Sequence, residues 1–297
     1  MRAEQLGANT SCLSDRSLEE ATDEIRRLGF RCATLLGFAG TRHRYGELAG
    51  FWFHDLRPDE REQLKALVSG FDRLAIHAPF ADLPLFSYDP RVEELSRYRV
   101  RESIDAAAYL GAEVVIVHAN RRANTPIQSY WDHMAATFRS LGEYAVERGV
   151  RIGVESGYPD SIDQFVDLLE AVGHHGVGAI LDCGHLTRYV DSALWATSEG
   201  ARELNDRLIE MTRQLGPTIV HCHIHDVRAS DWKDHQPVGT GIIDFRAFLA
   251  ELHSLDYKGI LELELEVEQS QQVDALVRSR RSVEWLISRL RRRRQAA

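Results

Sequence analysis

The chain has 297 residues, 44% of them hydrophobic and 27% charged, with a formal net charge of -9 and a pI near 5.8. That length can bury a sizeable core, and the acidic balance opposes non-specific nucleic-acid binding, which draws its affinity from phosphate neutralisation. No run of about 18 apolar residues offers a membrane span, the first residues lack the basic-then-apolar layout of a signal peptide, and four scattered cysteines (Cys12, Cys32, Cys183, Cys222) read as reduced thiols of a cytoplasmic protein.

The predicted elements alternate along the chain. An apolar run near 3–9 precedes Ser17-Leu18-Glu19-Glu20, a capping box that opens a helix ending near Gly29. The next strand-like run covers 31–37, and Pro58-Asp59-Glu60 starts a helix with proline in its first turn. Runs near 72–78, 113–118, 151–155, 177–182, 217–224 and 259–265 continue the series. Helical stretches separate them at Leu95–Leu110, Tyr130–Arg148, Ser161–Val172, Leu204–Leu215, Phe245–Leu255 and Val273–Leu290. Eight strands alternating with eight helices predict parallel pairing through right-handed crossovers, and the simplest closure is an α/β fold, a single-domain (β/α)8 TIM barrel over 1–297. An open doubly wound sheet is disfavoured because no Gly-x-Gly-x-x-Gly loop follows the first strand, which also removes the usual sign of a nucleotide cofactor. The C-terminal helix and basic tail, about 270–297, end in Arg289-Leu-Arg-Arg-Arg-Arg294, read as a solvated helix end because cations favour a helix C-terminus.

The strand ends carry the chemistry. Alternate side chains of a strand share a face, so His221, His223 and His225 fall on one side of the seventh strand, with Cys222 and Ile224 on the other. Imidazoles on one buried face need partners, and a shared metal is the simplest. Barrel chemistry sits at the C-terminal ends of the strands. Read in order, those ends supply His77, His118, Glu155, Asp182 with His185, His223 and Glu264, with His235 in the loop after strand seven. Six successive strands that each end in His, Asp or Glu predict a metal centre. Glu262 and Glu266 share the strand face of Glu264 and compete with it. The long loops 38–57, with Phe51 and Trp52, and Pro79 to Phe86 are expected to wall the pocket.

The motifs are His77-Ala78-Pro79, Val154-Glu155-Ser156, Leu181-Asp182-x-Gly184-His185, His223-x-His225-Asp226 and Gly239-Thr240-Gly241-x-Ile243-Asp244-Phe245. Together they resemble the xylose-isomerase-like TIM-barrel superfamily of sugar isomerases and epimerases, inosose dehydratases and apurinic/apyrimidinic endonucleases. The likeness runs from Leu6 to the last strand. It implies a metal quartet of Glu155, Asp182, His223 and Glu264, whose carboxylate-rich donors suit Mn²⁺, with Zn²⁺, Co²⁺ or Mg²⁺ as alternatives. It implies also that His77 and His118 match an added ligand pair of the endonuclease-type members, bridged by Glu155. His185 and His235 match two of the three ligands of their third zinc. The position two residues before His235, where that pattern needs aspartate, holds Lys233, while Asp231 and Asp234 stand out of register. One or two metals are therefore expected rather than three.

By the same resemblance, Glu155 and Glu264 are the catalytic acid/base pair of a sugar or polyol isomerase or epimerase. They remove a proton α to a carbonyl and return it through a metal-stabilised enediolate. His185, His235, Arg228 and Trp52 are the expected substrate contacts, Arg228 lying next to Ala229, the position where the epimerases carry arginine. Loss of a β-hydroxyl from the same intermediate would make a lyase of the inosose dehydratase type. A complete cluster would make a zinc-dependent apurinic/apyrimidinic endonuclease, and a non-catalytic metal-binding barrel is a third alternative. The expected partner is a small sugar or cyclitol, a free one being favoured because no phosphate-cradling glycine loop is present, with neither nucleic acid nor membrane involved. Barrels of this size often pair, so a homodimer is the expected assembly.

Overall fold

Ser17 accepts a hydrogen bond from the Glu20 amide and Glu20 accepts one from the Ser17 amide, at 3.1 and 2.8 Å. This reciprocal box starts helix α1 (Leu18–Arg27) at the position the sequence predicts. The computed structural model describes residues 1–295, with side chains through residue 290. The strands are β1 (Leu6–Asn9), β2 (Cys32–Leu36), β3 (Arg73–His77), β4 (Val114–His118), β5 (Arg151–Glu155), β6 (Val177–Asp182), β7 (Ile219–Ile224) and β8 (Ile260–Leu263). All pair in parallel, and β1 joins β8 to close an eight-stranded barrel. A small antiparallel ribbon, Arg42–His43 against Gly46–Glu47, decorates the loop after β2.

The helices between the strands are α2 (Pro58–Val68), α3 (Pro90–Leu110), α4 (Trp131–Val146), α5 (Ile162–Val172), α6 (Ser198–Leu215), α7 (Phe245–Ser254) and α8 (Gln272–Gln295). Two begin earlier than expected, for the same reason. Asp89 caps α3 by accepting from the Arg91 amide at 2.8 Å, with Pro90 at the first helical position. Thr197 caps α6 by accepting from the Gly200 amide at 3.0 Å. Both first turns are polar, so apolar spacing finds those helices only where the buried stripe starts. The arginines at 291–294 in the predicted basic tail lie outside the described side chains; Arg289 lies over the Trp285 ring at 4.0 Å. No described helix is long and apolar enough to cross a membrane.

Apart from a small cluster of Leu36, Phe38 and Leu48 after β2, buried apolar side chains fall in two places. Most fill the shell between strands and helices, including Cys222 and Ile224 on the outer face of β7. A smaller group (Cys32, Ala75, Val114, Ile116, Ile180, Val220, Ile260) plugs the barrel interior. Gly153 on β5 admits that plug, since a β-carbon there would fall 2.0 Å from the Ile180 Cδ1. With its lower end sealed by hydrocarbon, the barrel leaves the C-terminal strand ends for polar side chains.

Candidate metal centre

Register decides which strand ends become neighbours. His118 pairs with Glu155, Asp182 with His223, and Glu262 with His223. The parallel closed sheet therefore aims side chains from five adjacent strands into one mouth. His118 Nε2 lies 3.0 Å from Glu155 Oε2 and 3.3 Å from His77 Nε2, which itself lies 3.6 Å from Glu155 Oε2. The other ring nitrogen of His77 donates to the Ala78 carbonyl at 2.8 Å, which leaves Nε2 to face the cluster. His223 Nδ1 stands 3.0 Å from Glu264 Oε2, 3.4 Å from Asp182 Oδ2 and 3.7 Å from Glu155 Oε2. Glu264 is steered by Asn9, whose Nδ2 donates to Oε1 at 3.2 Å.

Apart from the His118–His77, His77–Ala78 and Asn9–Glu264 contacts, these short separations are not hydrogen bonds. Glu155 Oε2, His185 Nδ1 and both nitrogens of His223 are buried without a hydrogen-bond partner. Buried polar atoms rarely stay unpaired. Atoms that converge on a point rather than on each other's protons could hold an ion between them. His77, His118 and Glu155 offer one such triad and Glu155, Asp182 and His185 another, every ligand atom within 4.8 Å of the others in its group. The donor set, imidazoles with carboxylates, fits a divalent ion such as Mn²⁺ or Zn²⁺. All four residues of the expected quartet and both added histidines are thus brought together.

The loop after β7 brings a further group. His235 Nδ1 lies 3.0 Å from Asp234 Oδ1, and these two form a candidate triad with His185. Asp234 is therefore in place despite its register in the sequence. The backbone takes left-handed conformations at Trp232 (φ 56°) and His235 (φ 55°). Lys233 is turned away between them, its Nζ donating to the Tyr45 hydroxyl at 2.9 Å. His225 bridges the layers: its Nε2 faces both Asp182 oxygens at 3.0 Å, and its Nδ1 accepts from the His235 amide at 2.9 Å.

Charge follows the same geometry. Burial pushes the Glu155 carboxyl up, but His118, His223 and His185 outweigh it and hold it well below the usual carboxylate range. Asp182 and Glu264 are depressed well below theirs against the same burial, by His185, His225 and His223 in one case and His223 and His235 in the other. Burial would lower His223, yet Glu264, Glu155 and Glu262 raise it well above its ordinary value. His118 goes down, because burial prevails there.

Two expected substrate contacts are not in this mouth. Arg228 is held in a bidentate pair with Asp231, both bonds 2.7 Å, and its side chain is 47% exposed. Trp52 packs with Leu36, Phe38 and Leu48 beneath the Arg99 guanidinium, 4.2 Å from its ring. The aromatic that does reach the cluster is Phe80, stacked on His118 at 4.9 Å and edge-on to His77 at 5.2 Å.

Two carboxylates named in the sequence without a site role of their own have buried partners here. Asp226 is fully buried and accepts from the amides of Val227, Gly239, Gly241 and Ile243, at 2.9, 2.9, 2.8 and 3.1 Å. It thereby folds the Gly-Thr-Gly segment back under His235. Glu262, two residues below Glu264 on β8, accepts from His221 Nε2 at 2.6 Å and from the Thr34 hydroxyl. Glu266 stays outside the barrel end, its amide donating to the His235 carbonyl at 2.9 Å. Alternation puts Glu262 and His221 on the inward faces of their strands, and the register between β7 and β8 makes them partners.

A cavity of about 340 Å³ opens beside Glu155 and His118, lined further by Asn120, Arg121, Ser156, Tyr158 and Arg188 among others. The chain aligns at 25% identity over 222 residues with an uncharacterized protein of Methanocaldococcus jannaschii, 71% of each chain. It aligns at 28% over 190 residues with a probable endonuclease 4 of Mycobacterium tuberculosis, 63% of this chain and 71% of the relative. The crystal structure of a D-tagatose 3-epimerase-like protein superposes with a TM-score of 0.75 at 22% identity, over 97% of this chain and 98% of that one, which is a likeness of fold. The family described as xylose isomerase-like TIM barrel matches residues 22–289, and the chain belongs to it.

Proposed function

We propose that the protein is a divalent-metal-dependent isomerase or epimerase of a small sugar or polyol. The observation that carries this reading is the placement of Glu155 and Glu264 on either side of His223 Nδ1, at 3.7 and 3.0 Å. Each carboxylate has its second oxygen outside that point: Glu155 Oε1 lies 3.0 Å from His185 Nδ1, and Glu264 Oε1 accepts from Asn9. A substrate carbon between two such bases can lose a proton to one and regain it from the other. Both groups are held ionised, as a base must be, and the imidazoles around them can take or pass on the proton. An ion held by Glu155, Asp182, His223 and Glu264 would supply Lewis-acid stabilisation of charge developing on the substrate oxygens. Phe80 offers an aromatic face beside the histidines, and the cavity volume suits a monosaccharide.

The test is deuterium uptake at the carbon α to the carbonyl, followed by NMR in D₂O with Mn²⁺-loaded protein across ketoses and cyclitols. The wild type should exchange the proton, while E155Q and E264Q should each lose about 10²–10⁴-fold. Cleavage of an abasic-site oligonucleotide with no exchange on any sugar would refute the reading. That second activity has its own observation in favour: the His185, Asp234, His235 group adds ligands beyond those the sugar chemistry requires.

A further inference from the structure

The loop after β2 reaches well beyond its own strand. It passes Phe38, whose ring stands edge-on to His77 at 6.3 Å, and then folds into the ribbon Arg42–His43 against Gly46–Glu47. The ribbon is docked on the loop after β1. The Asp15 amide donates to the Glu47 carbonyl at 2.8 Å, and the Glu47 amide donates back to Asp15 Oδ1 at 2.7 Å. The Ser14 hydroxyl donates to the Tyr45 carbonyl at 3.1 Å. Gly46 sits so close that a β-carbon there would fall 2.6 Å from Asp15 Cγ, and its φ of 149° is one that side chains rarely take. From the segment after β8, Gln269 donates to Asp15 and Gln272 Nε2 donates to the Ser14 hydroxyl at 2.8 Å. At the tip of the ribbon, Tyr45 meets the loop after β7: Lys233 Nζ donates to its hydroxyl at 2.9 Å and lies 4.7 Å from its ring.

We infer that Tyr45 and Lys233 latch a fixed wall along the β1–β8 side of the mouth, so that substrate enters only from the Glu155 side. In the closed sheet β2 and β7 are separated by β1 and β8, and the ribbon joins the loops of the outer two across the inner pair. The cavity lies on the other side, walled by the loops after β4, β5 and β6. A lid that opened would break the reciprocal Asp15–Glu47 bonds along with the latch, whereas moving lids are drawn from segments with few such contacts. The latch also explains the lysine beside the metal cluster: Lys233 turns to the wall, while the next residue, Asp234, turns to His185 and His235. For what enters, the inference rests on the sugar reading above and deepens it. Tyr45 and Lys233 become specificity-determining residues, which admit a small molecule from one side and keep a duplex from seating across the strand ends.

Hydrogen exchange and metal stripping test the wall without relying on turnover. In the Mn²⁺-loaded wild type the amides of Tyr45, Glu47 and Leu48, each hydrogen-bonded within the ribbon or to Asp15, should be protected. K233A and Y45F should each speed their exchange by up to about tenfold, the worth of a single hydrogen bond. A third variant replaces 42–47 with two glycines, which the bond from the Leu48 amide to the Thr41 carbonyl at 2.8 Å permits by holding the two ends together. It should lose Mn²⁺ to EDTA faster than the wild type, because it opens a second approach to the ion. Ribbon amides that exchange like an unstructured peptide, or stripping rates equal with and without the ribbon, would overturn the wall. Exchange unchanged in both point variants would remove the latch from it, a result that stands even if the shortened chain does not fold. Capture of an abasic-site duplex by the wild type would overturn the inference as well, since a duplex would then seat across the strand ends. If the ribbon is protected and slows stripping but a free ketohexose does not bind, the wall stands and the sugar reading falls.

Discussion

His221 Nε2 lies 2.6 Å from Glu262 Oε2, and both side chains are fully buried inside the barrel beneath His223. Burial lowers the imidazole, so it is neutral and donates its Nε2 proton to the carboxyl. The same Glu262 oxygen lies 4.0 Å from His223 Nε2. His223 Nδ1 is aimed at Glu155, Asp182 and Glu264, so an ion taken by that nitrogen would leave the imidazole proton on Nε2, on the side of Glu262. A carboxylate facing the far nitrogen of a ligating histidine fixes its tautomer and ring angle.

Replacing Glu262 by Gln should therefore weaken metal binding about 10- to 100-fold while the fold survives. Competition with a chelator whose affinity is known would measure it, with circular dichroism as the control for folding. Unchanged metal affinity in E262Q would reduce the pair to interior packing.

Asp226 should matter for stability more than any ligand does. Its carboxyl satisfies four backbone amides of the loop that carries His235. Asp226→Ala strands those donors in a buried turn, at a cost on the order of 3 kcal/mol or more given about 1–3 kcal/mol per orphaned group. Denaturant unfolding should show the loss, and hydrogen exchange should show it concentrated in 236–243. A destabilisation under about 1 kcal/mol would mean that water replaces the carboxyl.

The barrel, and the convergence of the six candidate side chains at its strand ends, were legible because both follow from period-two alternation and the ends of apolar runs. His223 points inward and Cys222 outward as that period requires. His225 lies one residue past the end of β7 at Ile224 and reaches Asp182, the carboxylate that His223 also faces. What alternation cannot reach is the loop after β7. Two left-handed residues lie there, and it is Asp234 rather than Lys233 that stands beside His235, Lys233 turning to Tyr45. Arg228 and Trp52 lie away from the cluster for a related reason. Proximity in sequence to a motif does not reveal Asp231 or Arg99, the partners that hold them elsewhere.

Metal removal should change how stability depends on pH. In the metal-free protein His223 and His235 are raised well above the ordinary 6.5, by Glu264, Glu155 and Glu262 in one case and Asp234 and Glu264 in the other, against burial in both. A group with a raised folded pKa stabilises fully below its unfolded value and loses that contribution as pH climbs through the folded one. Metal-free protein should thus lose thermal stability as pH rises above about 6.5, the unfolded histidine value. At the other end, depressed Glu155, Asp182 and Glu264 lose their contribution as pH falls below the ordinary carboxylate range. Loaded protein has already surrendered the histidine protons, so its alkaline limb should be flat and its metal affinity should rise with pH. Melting curves with and without chelator check both, and parallel alkaline limbs would contradict the assignment of His223 as a ligand.

Asp234 decides how many ions the site can hold. With His185 and His235 it completes a triad, and the adjacent His235 keeps its carboxyl down at about 2 despite burial. It is therefore an anion ready to ligate at any pH where the histidines can. Zinc-loaded wild type should carry more than two ions per chain by elemental analysis, and Asp234→Asn should carry one fewer. An amide oxygen keeps the shape but lacks the charge that divalent ions favour. Because His77, His118, Glu155 and His223 lie on the strands, the remaining ions should keep their affinity in the variant. Two ions or fewer in the wild type, with no change in D234N, would leave His235 and Asp234 as a simple ion pair at the rim. The expected count of three, lost selectively in D234N, also fits the hydrolytic alternative, so abasic-site cleavage should be assayed beside sugar exchange in both proteins.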